Sequence, residues 1–381
     1  MRVLMRADCN ANIGQGHVMR LLSVADAFTA MGVLSAFVIA KDTSANRMKD
    51  RGYEVFTLSS SYTEMDSEVE ELTGIIQSYG ADLLLVDSYY VTKEYLNAVR
   101  EKIFTGYLDD VYNFAYPVDL LINYNVYANA EKYKELYETE GVKLPPMIIG
   151  PSYAPLRAEF AGITKREQNR EVRKIALSFG GADPMRMAKK FVETLIEYEK
   201  LNSDNTGCNS NNKKNSADTD KSITENCEIH MILGSMEPDL ESLKEMELLY
   251  SWLKLHVNIS NMKEVLQQMD LVVSAAGSTQ YEICACQIPC ICFSMADNQM
   301  PGGEEFGRLG IFHYAGDVRL NKSLYTDMIE EILKLKVDYE RRVLMGEKEK
   351  ELVDGNGAKR MAMRIMEIAG MNHTSGGGIN E

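Results

Sequence analysis

RADCNANIGQGHVMRLLSVADAF, residues 6–28, ends one periodicity and begins another. Up to Asp8 the chain reads as a short apolar strand, VLMRAD (3–8). From Gly16 onward Val18, Leu21, Leu22, Ala25, Phe28 and Met31 recur at helical spacing, and Gly32 supplies a C-terminal stop. A loop bracketed by Gly14 and Gly16 joins the two, and His17 stands where the helix begins.

The same alternation of short strand and amphipathic helix continues through the chain, the mark of α/β architecture with a mostly parallel sheet. In the first half the strands fall at 34–40, 54–58, 82–88, 104–110 and 119–123. The segment GPSYAPLRAEFAG (150–162) carries two prolines and reads as a crossing between domains. A second series then starts over, at 174–181, 228–234, 255–260, 270–277, 289–295 and 311–316. Two Rossmann-like halves are therefore expected, residues 1–155 and 172–345, followed by a C-terminal helix over 346–370 and a disordered tail over 371–381. Such halves bind ligands outside the carboxyl ends of their strands, here in a cleft between them. Residues 202–226 form a polar Asn/Ser/Asp/Lys insertion with too little apolar surface to order itself. Its Asp218-Thr-Asp220 resembles a metal-binding D-x-D only by chance, because a ligand pair needs a rigid scaffold.

Composition narrows the class. The 381 residues are 45% hydrophobic and 25% charged, with a formal net charge of −15. That balance fits an ordinary globular chain of two domains. No Lys/Arg-rich run offers a face to nucleic acid or to an anionic membrane. No apolar run approaches the ~20 residues that span a bilayer, and MRVLMRAD reads as a strand rather than a signal peptide. Seven cysteines without disulfide spacing point to the cytoplasm. Four of them cluster in CACQIPCIC (284–292), and core packing explains them better than a metal.

The predicted strand ends collect polar and small residues: Arg6, Asp8, Gly14, Gly16 and His17; Asp87 and Tyr89; Asp109 and Asp110; NYNVYA; GGAD (180–183); LGS (233–235); SAAGSTQYE (274–282); MADNQ (295–299). In SAAGSTQYE a helix starting near Ser278 would offer free N–H groups to a phosphate, with Glu282 one turn on to meet a ribose; a capped helix with an early acid reads equally well. Neither a P-loop nor G-x-G-x-x-G is satisfied, since Met19 stands where the last glycine would be. His17 is either a base held neutral at a helix N-terminus, with Asp8 to orient it across the loop, or a cap for its own helix. Arg20 either binds an anion or lies on the helix surface.

As an ordered set, RADCNANIGQGHVMR, DSYYVT, YLDDVY…DLLINYNVYA, GPSYAPLRAEF, SFGGAD, SAAGSTQYE and ADNQ resemble the UDP-2,4-diacetamido-2,4,6-trideoxy-β-L-altropyranose hydrolases of pseudaminic acid synthesis. The closing LVDGNGAKRMAMRI resembles related spore coat polysaccharide proteins described as glycosyltransferases. The resemblance implies a GT-B fold, a UDP-sugar substrate, water as acceptor, and neither metal nor other cofactor. It implies that Met262 meets uracil, Glu282 the ribose, and Gly277, Ser278 and Thr279 the diphosphate. His17 would activate water for inverting attack at the anomeric carbon, with Asp8, Tyr89, Asn298 and Gln299 on the sugar side and Arg6, Gly16 and Gly181 in the binding loops. An inverting glycosyltransferase with the same donor site, and a UDP-sugar-binding protein without catalysis, are the competing expectations.

Overall fold

The computed structural model describes residues 1–10, 14–181, 183–206, 222–234 and 236–371. The chain divides into two compact units, Met1–Ala161 together with the chain from Gly355, and Gly162–Asp354.

The first unit runs β1 (Arg2–Ala7), α1 (Gly16–Ala30), β2 (Leu34–Ile39), α2 (Asn46–Lys49), β3 (Glu54–Thr57), α3 (Val69–Tyr79), β4 (Leu83–Asp87), α4 (Lys93–Arg100), β5 (Phe104–Leu108), β6 (Leu120–Asn123), α5 (Ala130–Glu140) and β7 (Met147–Ile149). Its seven strands make one parallel sheet in the order β3-β2-β1-β4-β5-β6-β7. β1 and β4 are buried almost throughout, as expected of central parallel strands covered on both faces. The helices start and stop on local chemistry. Thr92 caps α4 by accepting from the Tyr95 N–H, Asn129 caps α5 by accepting from the Glu131 N–H, and Gly141 ends α5 at φ 68°. The apolar stripe of α1 is fully buried, and Phe28 alone contributes about 1.5–3 kcal/mol in this way.

The second unit runs β8 (Lys174–Ser178), α6 (Met187–Thr206), β9 (Glu228–Leu233), α7 (Leu240–Leu249), β10 (Leu253–Val257), α8 (Met262–Leu266), β11 (Leu271–Ala275), α9 (Thr279–Cys286), β12 (Cys290–Ser294), α10 (Met300–Arg308), β13 (His313–Asp317), α11 (Leu324–Val337) and α12 (Tyr339–Leu352). Its six parallel strands are ordered β10-β9-β8-β11-β12-β13. An apolar cluster joins Ile175, Leu177, Ile229, Val273 and Ile291 from the sheet with Phe191 from α6 and Met328 and Ile332 from α11.

Three sequence expectations change. The C-terminal helix over 346–370 is two helices, α12 and α13 (Gly357–Ile368), because the chain turns at Gly355 with φ +78°. A Cβ at Gly355 would stand 2.0 Å from the Phe160 carbonyl oxygen, so only glycine passes there. α13 belongs to the first unit, packing on α1, and Gly357 lies against the backbone of Ala154. The 150–162 segment accordingly belongs with the first unit as far as Ala161. The insertion is shorter than 202–226: α6 continues to Thr206, and Ile223 is fully buried with its N–H donated to Glu199 at 2.7 Å. Asp218 and Asp220 lie outside the described residues, as do 372–381. The short strand β7 has only three residues and gave too brief an apolar run to be read from sequence.

Candidate active site

In both sheets the strand order reverses beside the first strand of the unit. β1 is flanked by β2 and β4, and β8 by β9 and β11. Loops leaving such a pair diverge to opposite faces and leave room above the strand ends for a ligand. The chemically equipped residues gather at these two points.

In the first unit Ala7 lies level with Asp87 across the β1–β4 pair. The chain then leaves β1 through the glycine loop and re-enters as α1, which brings His17 over the end of β4. Its Nδ1 lies 2.7 Å from Oδ1 of Asp87 and 3.1 Å from the Asp87 carbonyl oxygen. Asp87 is fully buried and also receives a two-pronged contact from the Nε and Nη2 of Arg20. Burial on its own would raise the Asp87 pKa; Arg20 and His17 outweigh it and hold the carboxyl below its usual range. The Nη1 of Arg20 reaches Tyr124 Oη at 3.3 Å and Asp110 Oδ2 at 3.4 Å. Tyr89 donates its hydroxyl to the same Asp110 oxygen at 3.0 Å and sets its ring edge-on to His17, 4.6 Å between centroids. Burial raises the Asp110 carboxyl, so two nearby carboxyls are pushed in opposite directions. A histidine held by an ionised carboxylate is equipped to take a proton from water.

Asp8 was expected to be that carboxylate, and it is not. Its Oδ1 accepts from the Ala40 N–H at 2.7 Å and Thr43 Oγ1 at 2.8 Å, and its Oδ2 from Arg6 at 2.5 Å. Asp8 points toward β2, because it follows a strand whose residues alternate faces. Arg6, expected in a binding loop, is fully buried within β1. Its guanidinium is taken up by Glu68, at 2.7 and 2.9 Å, and by Asp8. Burial opposes that charge, and the two carboxylates more than offset it. Arg6, Asp8 and Glu68 thus form a buried charge network at the end of β1. Gly16 is exposed at the first position of α1, with open space where a Cβ would be.

In the second unit Ala276, Gly277 and Ser278 carry the chain from β11 into α9, which begins at Thr279 as expected. Ser278 is exposed, Gly277 and Thr279 are half-buried, and nothing stands within 4 Å of a Cβ at Gly277. Glu282 is half-buried in the first turn of α9. Beside this turn the β8 loop presents Gly180 at φ +95° and exposed Gly181, whose carbonyl oxygen would stand 1.8 Å from a Cβ at Gly234. That close approach packs the β8 and β9 loops together. Asp183 caps α6 with two backbone contacts, from Met187 at 3.0 Å and Ala188 at 2.7 Å. Met262 opens α8, which Asn261 caps by accepting from the Glu264 N–H at 3.1 Å. Asn298 is exposed, while Gln299 turns its Oε1 back to the Met295 N–H at 3.0 Å.

The six described cysteines are all buried, and burial raises the thiols of CACQIPCIC, Cys286 to about 12. Among the described residues no group of three or more His, Cys, Asp or Glu could hold a metal ion. None of the described helices is long and apolar enough to cross a membrane.

From the sequence Asp87 is a strand-end acid with no role of its own, and Arg20 either binds an anion or lies on the helix surface. The signal for both was an acid ending a strand and a cation one turn into the facing helix. Nothing in the sequence says that β4 lies next to β1, and that adjacency makes the pair.

No protein-family model matches the chain. The UDP-2,4-diacetamido-2,4,6-trideoxy-β-L-altropyranose hydrolase of Campylobacter jejuni is 26% identical over 285 residues, 73% of this chain and 86% of that protein. An uncharacterised protein of Methanocaldococcus jannaschii is 23% identical over 302 residues, 76% of this chain, which spans only about half of that relative, 55%. Among solved structures, MurG of Acinetobacter baumannii matches with a TM-score of 0.61 at 12% identity, covering 96% of this chain and 100% of MurG. The chain has the GT-B fold, with two parallel-sheet α/β domains. The Campylobacter alignment supports the relationship suggested by the sequence motifs.

Proposed function

We propose that the protein is an enzyme acting on UDP-linked sugars, and that its reaction is hydrolysis of a UDP-2,4-diacetamido-2,4,6-trideoxyhexose to UDP and free sugar. The observation that carries the reading is the His17–Asp87 contact of 2.7 Å at the first sheet's reversal point, in a chain alignable to a hydrolase of this kind. In this reading the open backbone at Gly277, Ser278 and Thr279 takes the diphosphate, helped by the partial positive charge at the start of α9. Glu282 takes the ribose hydroxyls, Met262 the uracil, and Gly181 lines the same pocket. Tyr89, Asn298 and Gln299 attend the sugar. Arg6 and Asp8 serve the site indirectly, by fixing the end of β1.

The chemistry balances without a further reactant. His17 removes a proton from water as the water oxygen bonds to the anomeric carbon. The bond from that carbon to the phosphate oxygen breaks, and UDP leaves with the electron pair. Attack opposite the leaving group inverts the configuration. Fixed N–H dipoles at the diphosphate stabilise the charge that develops there.

Time-resolved proton NMR of the protein with UDP-2,4-diacetamido-2,4,6-trideoxy-β-L-altropyranose, with no added metal and with His17→Ala in parallel, tests this. UDP and free sugar appearing in equal amounts, initially inverted and absent in the variant, is the expected result. Saturable binding with intact substrate would overturn hydrolysis of this sugar and favour transfer to another acceptor. Equal binding by both proteins with turnover in neither would favour a binding protein.

A further inference from the structure

We infer that Arg20 is a positioning residue that dictates which nitrogen of His17 carries its proton. The Nδ1 of His17 faces two oxygens of one residue, the carboxylate Oδ1 of Asp87 at 2.7 Å and its carbonyl oxygen at 3.1 Å. A carbonyl only accepts, and an ionised carboxylate only accepts, so a nitrogen lodged between them must be the N–H of the ring. Nε2, on the far side of the ring, then keeps the lone pair in the neutral form.

The carboxylate enforces this tautomer only while Asp87 is ionised and cannot turn. Arg20 secures both conditions. Its Nε contacts Oδ2 and its Nη2 contacts Oδ1, a planar fork on a planar carboxylate, so neither oxygen can rotate away. Asp87 is fully buried, and a carboxyl in that position without a cation would favour its protonated form. A protonated Asp87 could donate, and the backbone carbonyl alone would then hold the proton on Nδ1.

Arg20 is itself held. Its Nη1 side meets Tyr124 and Asp110 at 3.3 and 3.4 Å, and Asp110 accepts from Tyr89, whose ring edge packs on His17. The contacts therefore close on themselves: His17 to Asp87 to Arg20 to Asp110 to Tyr89 and back to His17. A closed set of this kind leaves the imidazole one orientation. The use of Nε2 as the base toward water rests on the proposed function; the tautomer does not.

The test is nitrogen NMR of the full chain labelled at histidine, with His17→Gln to assign the signal. Wild type is expected to show Nδ1 protonated and Nε2 unprotonated in the neutral ring. Arg20→Met is expected to give a mixed or reversed pattern, and kcat lower by about 10- to 100-fold with KM little changed. Arg20→Lys keeps the charge and loses the fork, so it should also mix the tautomers while preserving the fold. An Nε2–H ring in wild type overturns the inference, and so does an unchanged Nδ1–H pattern in Arg20→Lys, even if Arg20→Met fails to fold. The expected tautomers without any turnover of UDP-sugar would leave Arg20's role standing and remove the proposed function.

Discussion

His17 and Asp87 meet at 2.7 Å although seventy positions separate them, because β1 and β4 are neighbours in the sheet. The chain lays down β2 and β3 on one side of β1 before returning to place β4 on the other. The helix that follows β1 and the residue that ends β4 thus arrive at the same place.

Asp87→Asn separates orientation from shape. The amide keeps the volume and can offer a donor where Nδ1 now finds an acceptor. Activity is expected to fall by about 10²- to 10⁴-fold, with substrate affinity nearly preserved. Comparable losses in kcat/KM and affinity would show that Asp87 matters to binding instead.

Asp8→Ala is expected to act on stability. It removes a buried partner of Arg6 and leaves the Ala40 N–H and Thr43 hydroxyl without their acceptor. Breaking a buried pair from one side costs about 3–5 kcal/mol, which a denaturant midpoint would register directly. An unchanged midpoint with lost activity would restore Asp8 to a catalytic role.

Glu349 predicts a stabilising substitution. It is fully buried in α12, and among the described residues neither carboxylate oxygen has a hydrogen-bond partner. Burial raises it well above its ordinary value of 4.5, with Arg166 pulling weakly the other way. The unfolded chain releases this proton above about pH 4.5 and the folded chain does not, so stability is lost as pH rises. Glu349→Met should raise stability at neutral pH by about 1–3 kcal/mol. The gain should shrink toward pH 4, and a gain independent of pH would rule out ionisation as its cause.

The His230–His256 pair predicts the opposite slope. Their Nδ1 and Nε2 are 2.8 Å apart across β9 and β10, so one ring donates and the other accepts. Burial lowers both from 6.5; Glu228 and Glu247 pull them back, while Lys174 adds to the lowering. The folded pair binds fewer protons than the unfolded chain, so its stability is present above about pH 6.5 and declines below it. The urea midpoint should drop between about pH 7.5 and 5.5, and less steeply in His256→Gln. Identical slopes in the two proteins would remove the pair as the cause.

Gly234→Ala tests the loop packing in the second unit. The added methyl would overlap the Gly181 carbonyl, so the β8 and β9 loops must part. Overpacking of this order costs about 1–3 kcal/mol, and weaker UDP binding should accompany a lower melting temperature. Unaltered UDP affinity would place the ligand away from Gly181.

What could be read from the sequence alone was local. The apolar stripe from Val18 to Phe28, the all-buried run Leu83–Val86 and the start of α9 after Gly277 follow from periodicity and turn chemistry within a few residues. Twelve of the thirteen strands among the described residues are legible for that reason, and their number and spacing imply two parallel sheets. The partners of charged groups were not legible. Asp8 and Asp87 both end strands at glycine-rich or polar turns, and proximity in sequence favoured Asp8 for His17. Strand order reversed the choice, because alternation on β1 sends Asp8 toward Thr43 while β4 delivers Asp87 beneath α1. A side chain's reach is a few ångströms, and only the tertiary structure decides which distant residue lies within it.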